Sequence, residues 1–161
     1  RYPPKLLVKR ELNMIWTPHA TVAAIVERDG RFLFVEELSS TGERVFNQPA
    51  GHVDENETIL NATVRETIEE SGWQVKPTEL VGIYTYKAPS NDVTYYRFCY
   101  ACEAIKEIVG AELDEGIIAA HWLTFDEILF KKQQLRSPLV IKCLEDYLSG
   151  KRYPLGLVYE H

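Results

Sequence analysis

The chain has 161 residues, 45% of them apolar and 26% charged, which suits one globular domain and excludes a disordered chain, a collagen or a coiled coil. Eighteen basic against twenty-four acidic residues leave a formal charge of −6. That is a poor match for a nucleic-acid polymer, so any phosphate handled here needs a cation between it and the protein. No apolar run is long enough to predict a membrane span.

Residues 1–13 are basic, contain Pro3-Pro4 and precede Met14, the only methionine. They read as an N-terminal extension or expression remnant, with a natural start at Met14 and a single domain over 14–161. No signal peptide is apparent at the N-terminus. Thr21–Glu27 and Arg31–Glu37 read as strands joined at Asp29-Gly30, a tight-hairpin pair. Ser39–Gly42 is a polar loop. Phe46–Val53 holds Pro49 and Gly51 and should be extended or irregular. Glu57–Ser71 lacks Gly and Pro and reads as a helix, with Gly72 placed for a left-handed C-terminal cap. Leu80–Lys87 and Val93–Glu103 read as strands around a Pro89-Ser90-Asn91-Asp92 turn, and Ile117–Leu123 as another. Asp126–Lys132 reads as a short helix. Ser137-Pro138, as N-cap and first helical residue, opens a last helix running to about Ser149. The order predicts an α+β domain, a mixed sheet with helices packed on it.

Three cysteines are an odd number, and Cys99 and Cys102 form a C-x-x-C. Three apart on one strand, they face opposite ways, and no second Cys/His pair lies nearby to complete a zinc site. A reducing, cytoplasmic compartment fits this usage.

The informative stretch runs from Gly51 to Trp73, GHVDENETILNATVRETIEESGW. On a helix, Leu60, Val64 and Ile68 form one apolar stripe. Glu66, Glu69 and Glu70 share a different face, where like charges repel by roughly 0.2–0.5 kcal/mol per pair. A solvated acidic face would carry such a cluster; so would a site for Mg²⁺ or Mn²⁺, which favour carboxylate oxygens.

Gly51, Glu57, Arg65-Glu66, Glu69-Glu70 and Gly72 follow the spacing of the Nudix box, and the chain resembles a Nudix hydrolase. Thr67 departs from the pattern, which usually has an aliphatic residue there, but is small enough to pack under the helix. P-H-A-T-V-A-A-I-V (18–26), F-N-Q-P-A-G-H (46–52), L-R-S-P-L-V (135–140) and G-K-R-Y-P-L (150–155) look like the NudJ-type phosphatase branch of that family. The resemblance implies a mixed sheet sandwiched between helices, with the box as loop–helix–loop. It implies Mg²⁺-dependent attack of water on phosphorus in nucleoside tri- and diphosphates, and also in the pyrimidine pyrophosphate intermediate of thiamine synthesis. Carried onto this chain, Glu66, Glu69 and Glu70 resemble the metal carboxylates, the Gly51 carbonyl a further ligand, and Arg65 the group that orients the glutamates. Glu57 would anchor the helix start as a capping carboxylate.

Outside the box, Gln48 is a candidate for contacting a base or phosphate, or a polar loop residue. Arg97 and Arg136 are candidates for phosphate contact or surface ion pairs, Arg136 with Ser137 beside a helix N-terminus. Asp114 and Glu115 are candidates for a general base or a ring acceptor, or a solvated loop. Phe46 is a stacking candidate with Trp16, Tyr84, Tyr95, Tyr96 and Trp122, although most strand aromatics are core. The partner is then a small nucleotide or diphosphate, bound by a monomer or homodimer. Rival readings are hydrolysis of ADP-ribose, a dinucleoside polyphosphate or another nucleoside diphosphate linked to a second group, and a non-catalytic nucleotide-binding module.

Overall fold

The computed structural model describes residues 15–161, so the Met14 start and the 1–13 extension lie outside the described residues. Seven strands form a mixed sheet: β1 (His19–Arg28), β2 (Arg31–Leu38), β3 (Arg44–Asn47), β4 (Ala50–His52), β5 (Trp73–Lys87), β6 (Thr94–Glu107) and β7 (Ile117–Thr124). The order is β3-β2-β1-β6-β5, with β4 paired to β1 and β7 to β2. Among these seven strands β1 and β6 run parallel and the other paired strands run antiparallel. Among the described residues the α-helices are α1 (Ile59–Ser71), α2 (Phe125–Phe130) and α3 (Leu139–Leu148).

β1 is buried on both faces, which is why TVAAIV reads as a continuous apolar run rather than an alternation. Ala23 and Ile25 enter one core with Ile128 of α2 and Val140, Cys143 and Leu144 of α3. Ala24 and Val26 enter the other, against Ile59 and Leu60 of α1. The sheet is thus sandwiched between helices, the expected α+β architecture. Cys99 falls in the first core and Cys102 in the second, as two residues three apart on a strand should.

Several boundaries differ from expectation. Phe46–Val53 resolves into two short strands. α1 begins at Ile59 rather than Glu57, because the Thr58 hydroxyl accepts from the Asn61 N–H at 3.1 Å and closes the first turn. Its end is as expected: Gly72 takes φ 75° and returns its N–H to the Ile68 carbonyl. The buried stripe of α1 is not Leu60, Val64 and Ile68 but Ala62, Thr63, Thr67 and Ser71. Each of those three hydroxyls donates to the carbonyl four residues back, at 2.6–2.9 Å, so a polar face can lie against the sheet with its groups satisfied. β5 starts at Trp73, ahead of Leu80, and register shifts along it absorb Pro77. α2 runs Phe125–Phe130 under a Thr124/Glu127 capping box. Pro138, not Ser137, is the N-cap of α3, although the Ser137 hydroxyl still accepts from the Leu139 N–H at 3.2 Å.

The C-terminal segment crosses back over the sheet. Leu80 and Tyr153 exchange two backbone hydrogen bonds of 2.8 Å, and Glu160 accepts from the Ile59 N–H at 2.6 Å. Among the described residues no helix is long and apolar enough to cross a membrane.

Candidate active site

Arg65 is the organiser. Its Nε donates to Glu57 Oε2 at 2.6 Å and its Nη2 to Glu57 Oε1 at 2.9 Å, a forked pair. Nη1 donates to Glu66 Oε1 at 2.9 Å and Glu69 Oε2 at 3.0 Å, and Nη2 reaches the His52 carbonyl at 2.9 Å. One guanidinium therefore ties β4, the following loop and α1 together. Hydrogen bonding to Arg65 holds Glu57 below the usual carboxylate range, and the same bond pushes Arg65 above its ordinary value. Glu57 does not cap the helix. It lies before the Thr58 cap, where it clamps Arg65 and accepts from the Asp54 N–H at 3.0 Å.

The Glu66 side chain is 12% exposed. Burial raises its carboxyl, and Arg65 pulls it back. A Cβ on Gly51 would lie 2.1 Å from Glu66 Cδ, so only glycine lets the strand approach this carboxylate. Glu70 Oε1 accepts from the Ala50 N–H at 2.8 Å. Burial nevertheless drives Glu70 up to about 8, with Glu37, Glu66 and Asp114 adding repulsion.

Asp114 arrives from the loop before β7, its N–H donating to the Glu69 carbonyl at 2.9 Å. One carboxylate oxygen each from Glu66, Glu69 and Asp114 lies within 4.8 Å of the others. An all-oxygen, all-anionic set at that spacing fits a hard divalent cation. Glu70 is not among the three and faces the adjoining cavity with Glu66. Glu115 is exposed and joins neither group.

That cavity holds about 440 Å³. Gly51, His52, Glu66 and Glu70 line it, together with Glu37, Asn47, Arg97, Arg136 and Ser137. Arg97 is 6% exposed, donating to Gln48 Oε1 and Asn47 Oδ1, each at 3.1 Å. Gln48 is 1% exposed and does not reach the cavity. Its Nε2 donates to the Val140 carbonyl at 2.8 Å, so it braces Arg97 against α3. Phe46 is also absent from the cavity, being core beneath the Lys131 ammonium. Arg136 pairs with Glu37.

Of the other aromatic candidates only Tyr95 lines the cavity. Tyr84 is buried and donates to Asp146 at 2.9 Å, while Trp122 packs edge-on against Trp73. Sequence reasoning missed Glu37, Asn47, His52 and Tyr86, all of which line the space. The available signals were a carboxylate pair ending an apolar strand at Glu36-Glu37, and polar Asn47 beside Gln48.

Three comparisons bear on this arrangement. The NUDIX domain family model matches residues 17–143. Proteins named Phosphatase NudJ from Shigella boydii serotype 4 and Escherichia coli K12 are 38% and 37% identical over 144 residues, 89% of this chain and 92% of theirs. A solved NUDIX hydrolase from Nitrosomonas europaea aligns with a TM-score of 0.88 and 41% identity over 90% of this chain and 98% of its own. A UDP-X diphosphatase structure, at 17% identity and TM-score 0.68 over 93% of this chain and 72% of its own, shares the fold.

Proposed function

The chain belongs to the Nudix family and is a Nudix phosphohydrolase, and on that premise we propose that it hydrolyses nucleoside di- and triphosphates by attack of water on the terminal phosphorus, releasing phosphate. One observation carries the reading: the carboxylate cluster of Glu66, Glu69 and Asp114 shares Glu66 with a cavity that Arg97 and Arg136 also line. A polyphosphate can lie with its reacting end at the cluster and its remaining charge against Arg97 and Arg136. The name Phosphatase carried by the curated relatives supports phosphate as the product.

Mg²⁺, or Mn²⁺ in its place, would be held by Glu66, Glu69 and Asp114, with Glu70 and the Gly51 carbonyl beside them. When bound it supplies positive charge against the phosphate oxygens. The chain's own groups do the rest. Arg65 fixes the rotamers of Glu66 and Glu69, and the carboxylates stand ready to take a proton from water. Arg97, held by Asn47 and Gln48, needs no reorganisation to meet an anion. Tyr86 and Tyr95 offer the ring stacking. Stacking with few directional hydrogen bonds discriminates weakly between bases. Several nucleotides, and the pyrimidine pyrophosphate of thiamine synthesis, should therefore be hydrolysed within about tenfold of one another, ~1.4 kcal/mol.

Phosphorus NMR of a triphosphate digest tests the reading. Inorganic phosphate and the nucleoside diphosphate are the expected early products. Pyrophosphate as the sole early product would overturn it, and preferential cleavage of ADP-ribose would move the substrate class.

The metal role has its own test. With Glu70 raised from 4.5 to about 8 in the metal-free fold, the folded chain carries a proton there that the unfolded chain has lost. Metal-free stability should fall as pH rises from about 4.5 towards 8. A cation at the site must displace that proton. Titration of Mg²⁺ by calorimetry at pH 7, in two buffers of different ionisation enthalpy, should show proton release that fades by pH 9. No proton exchange at pH 7 would remove Glu70 from the metal's neighbourhood.

A further inference from the structure

Glu37 is a carboxylate where the proposed substrate makes a carboxylate unwelcome. It lines the cavity, is 9% exposed, and burial raises its carboxyl while Arg136 and Arg97 lower it. Taken alone it would repel a polyphosphate. Its direct ion-pair partner among the described residues is Arg136, whose own side chain is 48% exposed.

Two features show that the pair is built rather than incidental. β2 and β7 pair Glu36 with Ala119 but Glu37 with Ile117, so Ile118 is an extra residue opposite the strand at this point. A bulge there re-aims the end of the pairing next to a cavity. Glu36 meanwhile serves separate partners, His121 at 2.9 Å and Arg44 at 3.0 Å, leaving Glu37 to Arg136. On the other side, the Arg136 N–H donates to the Phe46 carbonyl at 2.9 Å, which pins its backbone to β3. Arg136 is therefore fixed at both ends. It stands in the wall shared by the 440 Å³ cavity and a second space of about 450 Å³ lined by Lys132, Ser137 and Lys142.

We propose that Glu37 is a positioning residue that holds the Arg136 guanidinium over the cavity, so that a substrate phosphate meets an arginine already in place. This rests on the reading of the cavity as a polyphosphate site. Without Glu37 a half-exposed arginine would spread over many rotamers, most of them in solvent, and binding would bear the cost of recalling it. The substrate's negative charge completes the coordination of Arg136 from the side that Glu37 leaves open.

The sign of one measurement separates positioning from mere charge. If Glu37 acts only as a negative charge, Glu37→Gln removes repulsion and KM for a nucleoside triphosphate falls. If it positions Arg136, KM rises, by about tenfold, with kcat within threefold of the parent. Arg136→Ala should raise KM by a similar factor. In that background Glu37→Gln should raise it no further, since there is no arginine left to hold. A fall or no change in KM for Glu37→Gln, or effects that multiply in the double variant, would overturn the proposal. If Glu37→Gln does not fold, Glu37→Asp keeps the charge but withdraws the carboxylate; a raised KM supports positioning and an unchanged one refutes it. Calorimetric affinity for a β,γ-methylene nucleoside triphosphate, run with Mg²⁺ on the same variants, reads the contact independently of turnover. Intact binding with no wild-type hydrolysis would defeat the proposed activity and still decide the role of Glu37.

Discussion

Glutamine in place of Glu69 or Glu70 should lower turnover by at least about 10²-fold, the scale on which lost catalytic groups act, and EDTA should abolish it in the parent. Both changes are isosteric, so the loss reports charge rather than shape. Glu69 is 38% exposed on its side chain. Glu69→Gln therefore costs the fold little: it weakens one of the bonds to Arg65, which keeps its forked pair with Glu57. Glu70→Gln can still accept from the Ala50 N–H. It also removes a buried carboxyl whose charged form burial opposes, so this variant should melt higher than the parent in metal-free buffer at pH 8. A site that gains stability when its acid is neutralised is one where function was kept against the fold's interest. Full activity in EDTA, or rates within twofold of the parent for both variants, would sink the assignment.

How much of this could be read in advance depends on distance along the chain. The glutamates and Arg65 lie on one helical turn and a half, so their spacing announces a shared face before any tertiary contact is known. The strands were legible because turns such as Asp29-Gly30, with φ of 51° and 74°, are written in residue type. Asp114 could be offered only as one of two loop acids. Its arrival at Glu66 and Glu69 depends on the segment before β7 docking on the end of α1, where Ile108 N–H bonds to the Gly72 carbonyl and Asp114 N–H to Glu69. Gln48 and Phe46 were misplaced for a related reason. Phe46 lies in β3 and Gln48 just after it, and which way each faces is set by the pairing of β3 with β2 and by the approach of α3, which neither residue's chemistry reveals. The stripe of α1 misled because periodicity counts apolar side chains. Here threonine and serine hydroxyls, satisfied by their own helix, were the ones buried.

Alanine at Gly51 should be nearly as damaging as loss of a glutamate, although it adds one methyl group and removes no functional atom. The added Cβ would sit 2.1 Å from Glu66 Cδ and 2.3 and 2.4 Å from its two oxygens, far inside van der Waals contact. One partner must move. The strand cannot move easily: Gly51 lies in the pairing of β4 with β1, opposite Val22, and Val22 is fully buried. Glu66 must then leave its place, and in leaving it breaks the 2.9 Å bond to Arg65 and opens the group it forms with Glu69 and Asp114. A displacement near 1 Å in a site that works by positioning costs about 10²-fold, so Gly51→Ala is expected to lose about that much in kcat. The cation affinity should weaken with it, because the cluster is no longer preformed. Gly156 supplies the control, since a Cβ there meets nothing within 4 Å, and Gly156→Ala should match the parent in rate. The measurement is kcat and Mg²⁺ dependence for both variants, with melting curves to show that each is folded. Gly51→Ala with parental kcat would mean that the carboxylate of Glu66 can stand elsewhere and still work, and that its contact with the strand has no part in catalysis.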